Sequence, residues 1–183
     1  MKKITYNAPV TLTFSFLSLL ILMIHNYING DLIYSLFSVY RSSLTDPLFY
    51  FRLLGHVLGH GGWEHLLGNL LLILLLGPMI EEKYGSGNLL KMMIITALLT
   101  GLLNILLFPH ALMGASGIVF MMILLSSFTN AGKHELPLTV ILVALLYIGR
   151  EVMAAWLIED NISRVTHIVG GISGAWFGFK YKS

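Results

Sequence analysis

The stretch HLLGNLLLILLLGPMI, residues 65–80, contains no Asp, Glu, Lys or Arg. Similar charge-free stretches cover residues 4–30, 92–132, 136–149 and 165–179. A helix needs roughly 20 mostly apolar residues to cross the hydrocarbon core of a bilayer. The pattern predicts an all-α, polytopic membrane protein.

The composition of the whole chain agrees with that fold class. Of 183 residues, 56% are hydrophobic and only 11% are charged, and the mean hydropathy is +0.81. A water-soluble domain of this size would carry more charge. The basic residues are scattered singly, which argues against a nucleic-acid partner. The absence of cysteine excludes disulfides, thiol catalysis and thiolate metal sites.

Six transmembrane helices are predicted within one domain, residues 1–183. Glycine and proline separate them, as at Gly85-Ser86-Gly87 and at Pro109-His110, where proline cannot continue the helical hydrogen-bond pattern. The charged pair Arg150-Glu151 interrupts the fifth helix. The six predicted spans are residues 10–28, 64–83, 88–108, 115–130, 136–157 and 164–180.

The connection between the first two spans, residues 29–62, is rich in Leu, Phe and Tyr. A solvated loop would not need these side chains, so we expect short amphipathic elements in the outer interface of the membrane. The first span follows Met1-Lys2-Lys3 without a small-residue cleavage site, which predicts an uncleaved helix.

The distribution of basic residues predicts the orientation. If both termini are cytoplasmic, seven of the eleven basic residues face the cytoplasm. We expect an integral membrane protein with a site that opens to the outer face. The seven are Lys2, Lys3, Lys83, Lys91, Lys133, Lys180 and Lys182.

Polar groups inside apolar spans are costly and commonly functional, and four of them are the candidates here. His65 and Asn69 lie near the start of the second span, Ser116 near the start of the fourth and His167 near the start of the sixth. Alternate helices start on the same side of a membrane. All four residues are therefore expected at one depth.

These residue types suit acyl transfer. Ser116 would be the nucleophile and His167 its base, acting as a dyad because Asp31, Asp46 and Asp160 all fall in loops and no aspartate lies at that depth. The Asn69 amide, the His65 imidazole and the Ser116 backbone N–H could stabilise the oxyanion.

Each of these residues also has a purely structural interpretation. A serine can bond its own helix, and His65 and Asn69 could simply bridge helices. Gly114 and Gly117 flank the serine and permit close approach of another chain. Gly170 and Gly174 would form a packing face beside His167.

At this point the chain resembles the rhomboid family of intramembrane serine proteases. The residues that carry the resemblance occur in the family's order over almost the whole length. They are His60-Gly61-Gly62-Trp63-Glu64-His65-Leu66-Leu67-Gly68-Asn69, then Gly77, Glu81 and Gly85-Ser86, then Gly114-Ala115-Ser116-Gly117, and finally His167-Ile168-Val169-Gly170 with Gly174.

The resemblance implies a six-helix core and cofactor-free cleavage of substrates that have one transmembrane helix. It also implies that the fifth helix and the loop after it act as gate and cap. Phe120 replaces the tyrosine that commonly stacks on the histidine, and Phe51 replaces the tryptophan that precedes Arg52. The pair Arg150-Glu151 has no counterpart in the family pattern, and the resemblance gives no oligomeric state.

Two alternative functions remain open. His56, His60, Glu64 and His65 could belong to a metal-dependent membrane hydrolase or transporter, although their spacing is not His-Glu-x-x-His. The chain could also be a catalytically silent rhomboid-like protein that binds transmembrane clients without cutting them.

Overall fold

A computed structural model describes residues 3–130, 132, 135–157 and 161–181. The predicted all-α class is confirmed. The helices in that part of the chain are α1 Pro9–Tyr27, α2 Gly30–Phe37, α3 Pro47–Gly55, α4 Trp63–Tyr84, α5 Ser86–Leu107, α6 Ser116–Ser126, α7 Leu138–Leu157 and α8 Asn161–Lys180.

Three of the described helices, α1, α4 and α5, are long and apolar enough to cross a membrane. The break between α4 and α5 falls at Gly85, whose φ is +82°. The break after α5 falls before Pro109, as predicted. The count of six spans remains a prediction.

The predicted fourth span, residues 115–130, is shorter as a helix than expected. Helix α6 has 11 residues and ends at Ser126. Beyond it the backbone N–H groups of Ser127, Phe128 and Thr129 bond the carbonyl oxygens three residues earlier. The Ser126 and Thr129 hydroxyls donate to the carbonyls of Ile123 and Ser126. Hydroxyls that bond nearby carbonyls compete with the regular helix, which explains the tighter turns.

Helices α6 and α8 run parallel with their backbones in contact. A Cβ atom added at Gly170 would collide with the Gly117 carbonyl oxygen, and one added at Gly174 would collide with the Met121 carbonyl oxygen. Residue numbers rise in the same direction along both helices from one contact to the next, so the two helices start at the same end. Only glycine permits this approach, which is common between membrane helices.

Glu81, near the end of α4, links three helices at the other end of the bundle. Its carboxylate accepts hydrogen bonds from the Val10 and Thr11 backbone N–H groups at 2.9 and 3.0 Å. It also accepts from the hydroxyls of Thr11 and Ser86 at 2.8 and 2.7 Å. The first N–H groups of a helix have no partner within it, so a carboxylate is stabilising there. Glu81 thereby links α1, α4 and the start of α5.

The segment between α1 and α4 contains two short helices, α2 and α3, in agreement with the expected short elements. Arg52 of α3 is buried and links the two helices. Its guanidinium pairs with Asp46 at 2.8 Å, donates to the Ser35 carbonyl at 2.8 Å and lies 4.6 Å from the centre of the Tyr40 ring. Hydrogen bonds from the Leu48 N–H and from Arg52 lower the pKa of Asp46.

The same segment is attached to the far end of α5. Arg41 donates to the carbonyls of Ile105 and Leu106 at 2.6 and 2.9 Å, and these belong to the last turn of that helix. Val39 exchanges two backbone hydrogen bonds with Leu112. The connection is therefore held against the loop that leads to Ser116.

Candidate active site

Ser116 is the first residue of α6, so its backbone N–H belongs to the group that lacks a partner inside the helix. The loop before it requires glycine, because Gly114 has a φ of +136°. The Gly114 N–H donates to the His56 carbonyl at 2.9 Å. The backbone just before Ser116 is thus held in place by the segment that precedes α4.

His65 and Asn69 lie in the first two turns of α4. A Cβ atom added at Gly114 would be 2.6 Å from His65 Cε1 and 2.8 Å from Nε2, so the imidazole packs directly against the loop before Ser116. Asn69 is 7% exposed. Its Nδ2 donor is buried and has no hydrogen-bond partner among the described residues. Buried donors are nearly always used, so this one is available to a ligand.

His167 lies on α8, half-buried, where that helix touches α6. Its imidazole packs on the Phe120 ring, with 4.2 Å between ring centres and 44° between planes. Phe120 is one helical turn beyond Ser116 and so shares its face. Thr166, the residue before His167, contacts the Cα region of Gly117, whose added Cβ would be 3.2 Å from the threonine methyl.

These contacts join the first part of α4 to the loop before Ser116 and His167 of α8 to the first part of α6. Met79 of α4 and Ser126 of α6 line a common cavity near the other end, which shows that α4 is parallel to α6. Parity of the helices had placed His65, Asn69, Ser116 and His167 at one level. Their catalytic roles remain predictions.

Two buried histidines, His56 and His60, were candidate metal ligands in the sequence, and His60 also begins the motif that resembles the family. His56 is fully buried, and its Nε2 is 3.4 Å from the Thr100 hydroxyl. The His60 ring centre is 5.0 Å from that of His65. Burial lowers the pKa of each to about 4, and the neighbouring His65 contributes at His60. Both are therefore neutral at neutral pH.

No group of three or more His, Asp or Glu side chains placed to hold a metal ion occurs in the described part of the chain. The side chains of Arg150 and Glu151 lie outside that part, as do Lys2, Lys133 and Lys182, which the orientation argument used.

Comparison with known proteins gives two matches. A family model described as "Rhomboid domain" matches residues 48–183. The sequence is 27% identical over 142 residues to "Rhomboid-related protein 1" of Caenorhabditis elegans, which covers 70% of this chain and 39% of that protein. The chain therefore spans well under half the length of this curated relative.

Proposed function

This chain belongs to the rhomboid family, and from that premise we propose that it is an intramembrane serine endopeptidase with a Ser116–His167 dyad. The observation that carries the proposal is the convergence of three helix starts. His65 packs on Gly114 in the loop before Ser116, His167 packs on Phe120 one turn along α6, and the Asn69 amide donor in the second turn of α4 has no partner among the described residues.

The proposed reaction has two halves. The Ser116 hydroxyl oxygen attacks the carbonyl carbon of the scissile peptide bond while His167 takes its proton. The tetrahedral intermediate collapses, the C–N bond breaks, and His167 returns the proton to the leaving amine. Water then attacks the acyl-serine ester with His167 again as base, releasing the acid and regenerating Ser116.

The negative oxygen of the intermediate needs hydrogen-bond donors that are already in place. Three donors are proposed for this role. The Ser116 N–H is free of the helix by its position at the helix start, the Asn69 Nδ2 has no partner among the described residues, and the His65 ring is held against Gly114.

The substrates proposed are membrane proteins with a transmembrane helix, because α4, which carries His65 and Asn69, is long and apolar enough to cross a membrane and α6 is a shorter apolar helix. We propose that the site opens to the outer face of a bacterial cytoplasmic membrane, with both termini inside, as the basic residues indicate.

The test is labelling of the purified protein with a fluorophosphonate, which reacts with an activated serine, together with cleavage of a transmembrane substrate in proteoliposomes. Ser116→Ala and His167→Ala should not be labelled. Their cleavage rates should fall by at least about 10³-fold. The matched control is Ser126→Ala, on the same helix at its other end, which should behave as wild type.

Three outcomes contradict the proposal. Equal labelling of all four proteins would exclude Ser116 as the nucleophile. Activity that a chelator abolishes and zinc restores would favour a metal hydrolase. A folded wild-type protein that binds substrate but neither labels nor cleaves would be a silent client-binding protein.

A further inference from the structure

A cavity of about 440 Å³ lies beside His65 at the start of α4. It is lined by Gly61, Gly62, Trp63, Glu64 and His65. A Cβ atom added at either glycine would meet nothing within 4 Å, so the backbone leaves open space. The Trp63 side chain is 39% exposed. The open wall of the site therefore carries one indole and one carboxylate.

The Glu64 carboxylate has no hydrogen-bond or ion-pair partner among the described residues. The two arginines of the preceding segment are engaged elsewhere, Arg52 with Asp46 and Arg41 with the α5 carbonyls. His60 is neutral, because burial holds its pKa near 4. Glu64 is thus an exposed, uncompensated negative charge next to a proposed oxyanion donor.

A simpler explanation of Glu64 is its position in the first turn of α4, where a carboxylate interacts favourably with the helix dipole. That explanation concerns helix stability and predicts no preference among substrates. The helix-dipole explanation also does not account for the exposed indole of Trp63 or for the open space at Gly61 and Gly62 in the same cavity.

We propose that this cavity is a substrate subsite for a lysine or arginine side chain close to the scissile bond. The cation would pair with Glu64, and its apolar stem would lie on the indole of Trp63, whose face attracts cations. Basic side chains near the end of a transmembrane helix extend towards water, so a cavity at the helix ends is within their reach. The inference rests on the proposed endopeptidase function.

The test uses a model transmembrane substrate with Arg, Gln or Glu placed in turn at each position flanking the cut. At the substrate position whose side chain enters the cavity, the wild-type kcat/KM should be about tenfold higher for the Arg substrate than for the Glu substrate. An exposed ion pair together with a cation–π contact accounts for a preference of this size. Glu64→Gln should remove the preference, and Glu64→Lys should reverse it. High salt should weaken it in the wild type.

The matched control is Glu82→Gln, the same change of charge 18 residues along α4 and therefore about 27 Å away. It should keep the wild-type preference. Glu82→Gln should also cleave the Gln substrate at the wild-type rate, and the Glu64 variants are judged by the ratio of Arg to Glu substrate within each protein. Thermal unfolding of each variant reports any loss of the helix-dipole contribution separately.

The dissociation constants of the same substrates for Ser116→Ala and for Ser116→Ala/Glu64→Gln complete the test. If Ser116→Ala binds the Arg substrate more tightly than the Glu substrate and the double variant does not, the subsite is supported. This holds even if the wild type cleaves nothing. Absence of cleavage would overturn only the protease assignment. Equal Arg-to-Glu ratios with and without Glu64, in both binding and cleavage, would overturn the subsite.

Discussion

Phe120 shows what a single ring contributes to the site. The resemblance to the family led us to expect a tyrosine here, and the structure retains the stacking with a ring centre 4.2 Å from that of His167. The hydroxyl is dispensable for this contact. The flat aromatic face packs against the imidazole, as aromatic rings commonly do.

Replacing Phe120 with Leu should therefore lower kcat about tenfold with little change in KM, since the imidazole loses its flat support but the volume is nearly kept. Phe120→Tyr should retain activity. The comparison is Phe128→Leu, which alters the ring contact with Phe179 beyond the end of α6. Full activity of Phe120→Leu would show that the ring does not position His167.

Asn69 is the second residue whose chemistry can be isolated. Its Nδ2 makes no hydrogen bond among the described residues, so its removal should leave stability nearly unchanged. Asn69→Ala should lower kcat roughly 10²- to 10³-fold, as expected when one oxyanion donor is lost. A variant with a normal kcat and a raised KM would place Asn69 in ground-state binding instead.

At the scale of elements, the site depends on the glycine seam between α6 and α8. Gly117 meets Gly170 and Met121 meets Gly174, which brings Ser116 and His167 onto adjoining backbones. The small-residue spacing predicted a packing face in the sixth span. It did not identify the partner residues Gly117 and Met121, because the register of two helices depends on the surfaces of both.

Gly174→Ala should destabilise the protein by about 1–3 kcal/mol, because the new methyl collides with the Met121 carbonyl and the backbones must separate. The midpoint of thermal unfolding in detergent measures this. Gly87→Ala on α5 is the control, since a Cβ there meets nothing within 4 Å and should be tolerated. Equal midpoints for the two variants would contradict a tight seam.

At the scale of the whole molecule, the connection 29–62 is part of the packed structure. Arg41 caps the end of α5, and the His56 carbonyl holds Gly114. The buried histidines His56 and His60 stand where this connection meets the helices. Stability should therefore respond to pH through these two groups.

Unfolding should be independent of pH above about 7 and should become easier between pH 6.5 and 4. In that window an unfolded histidine, with a pKa of 6.5, binds a proton that the folded histidine, with a pKa of about 4, excludes. Each site could contribute up to about 3 kcal/mol. The measurement is the unfolding midpoint across this range for wild type and His56→Gln.

The variant should have a shallower acid dependence, even if it is less stable at neutral pH. Identical slopes in the two proteins would mean that other groups determine the acid sensitivity.

The sequence by itself determined the helical class, most helix boundaries and the level shared by His65, Asn69, Ser116 and His167. Charge-free apolar stretches, glycine and proline breaks and the parity of helices are local or additive properties, so they can be read along the chain. The six-span count and the catalytic roles remain predictions.

Only the tertiary structure decided where α6 ends, that His65 packs on Gly114, that Arg41 caps α5 and that Trp63 and Glu64 share an open cavity with His65. These features depend on contacts between residues far apart in the chain. A side chain's partners are set by the three-dimensional packing of several helices, which no local pattern specifies.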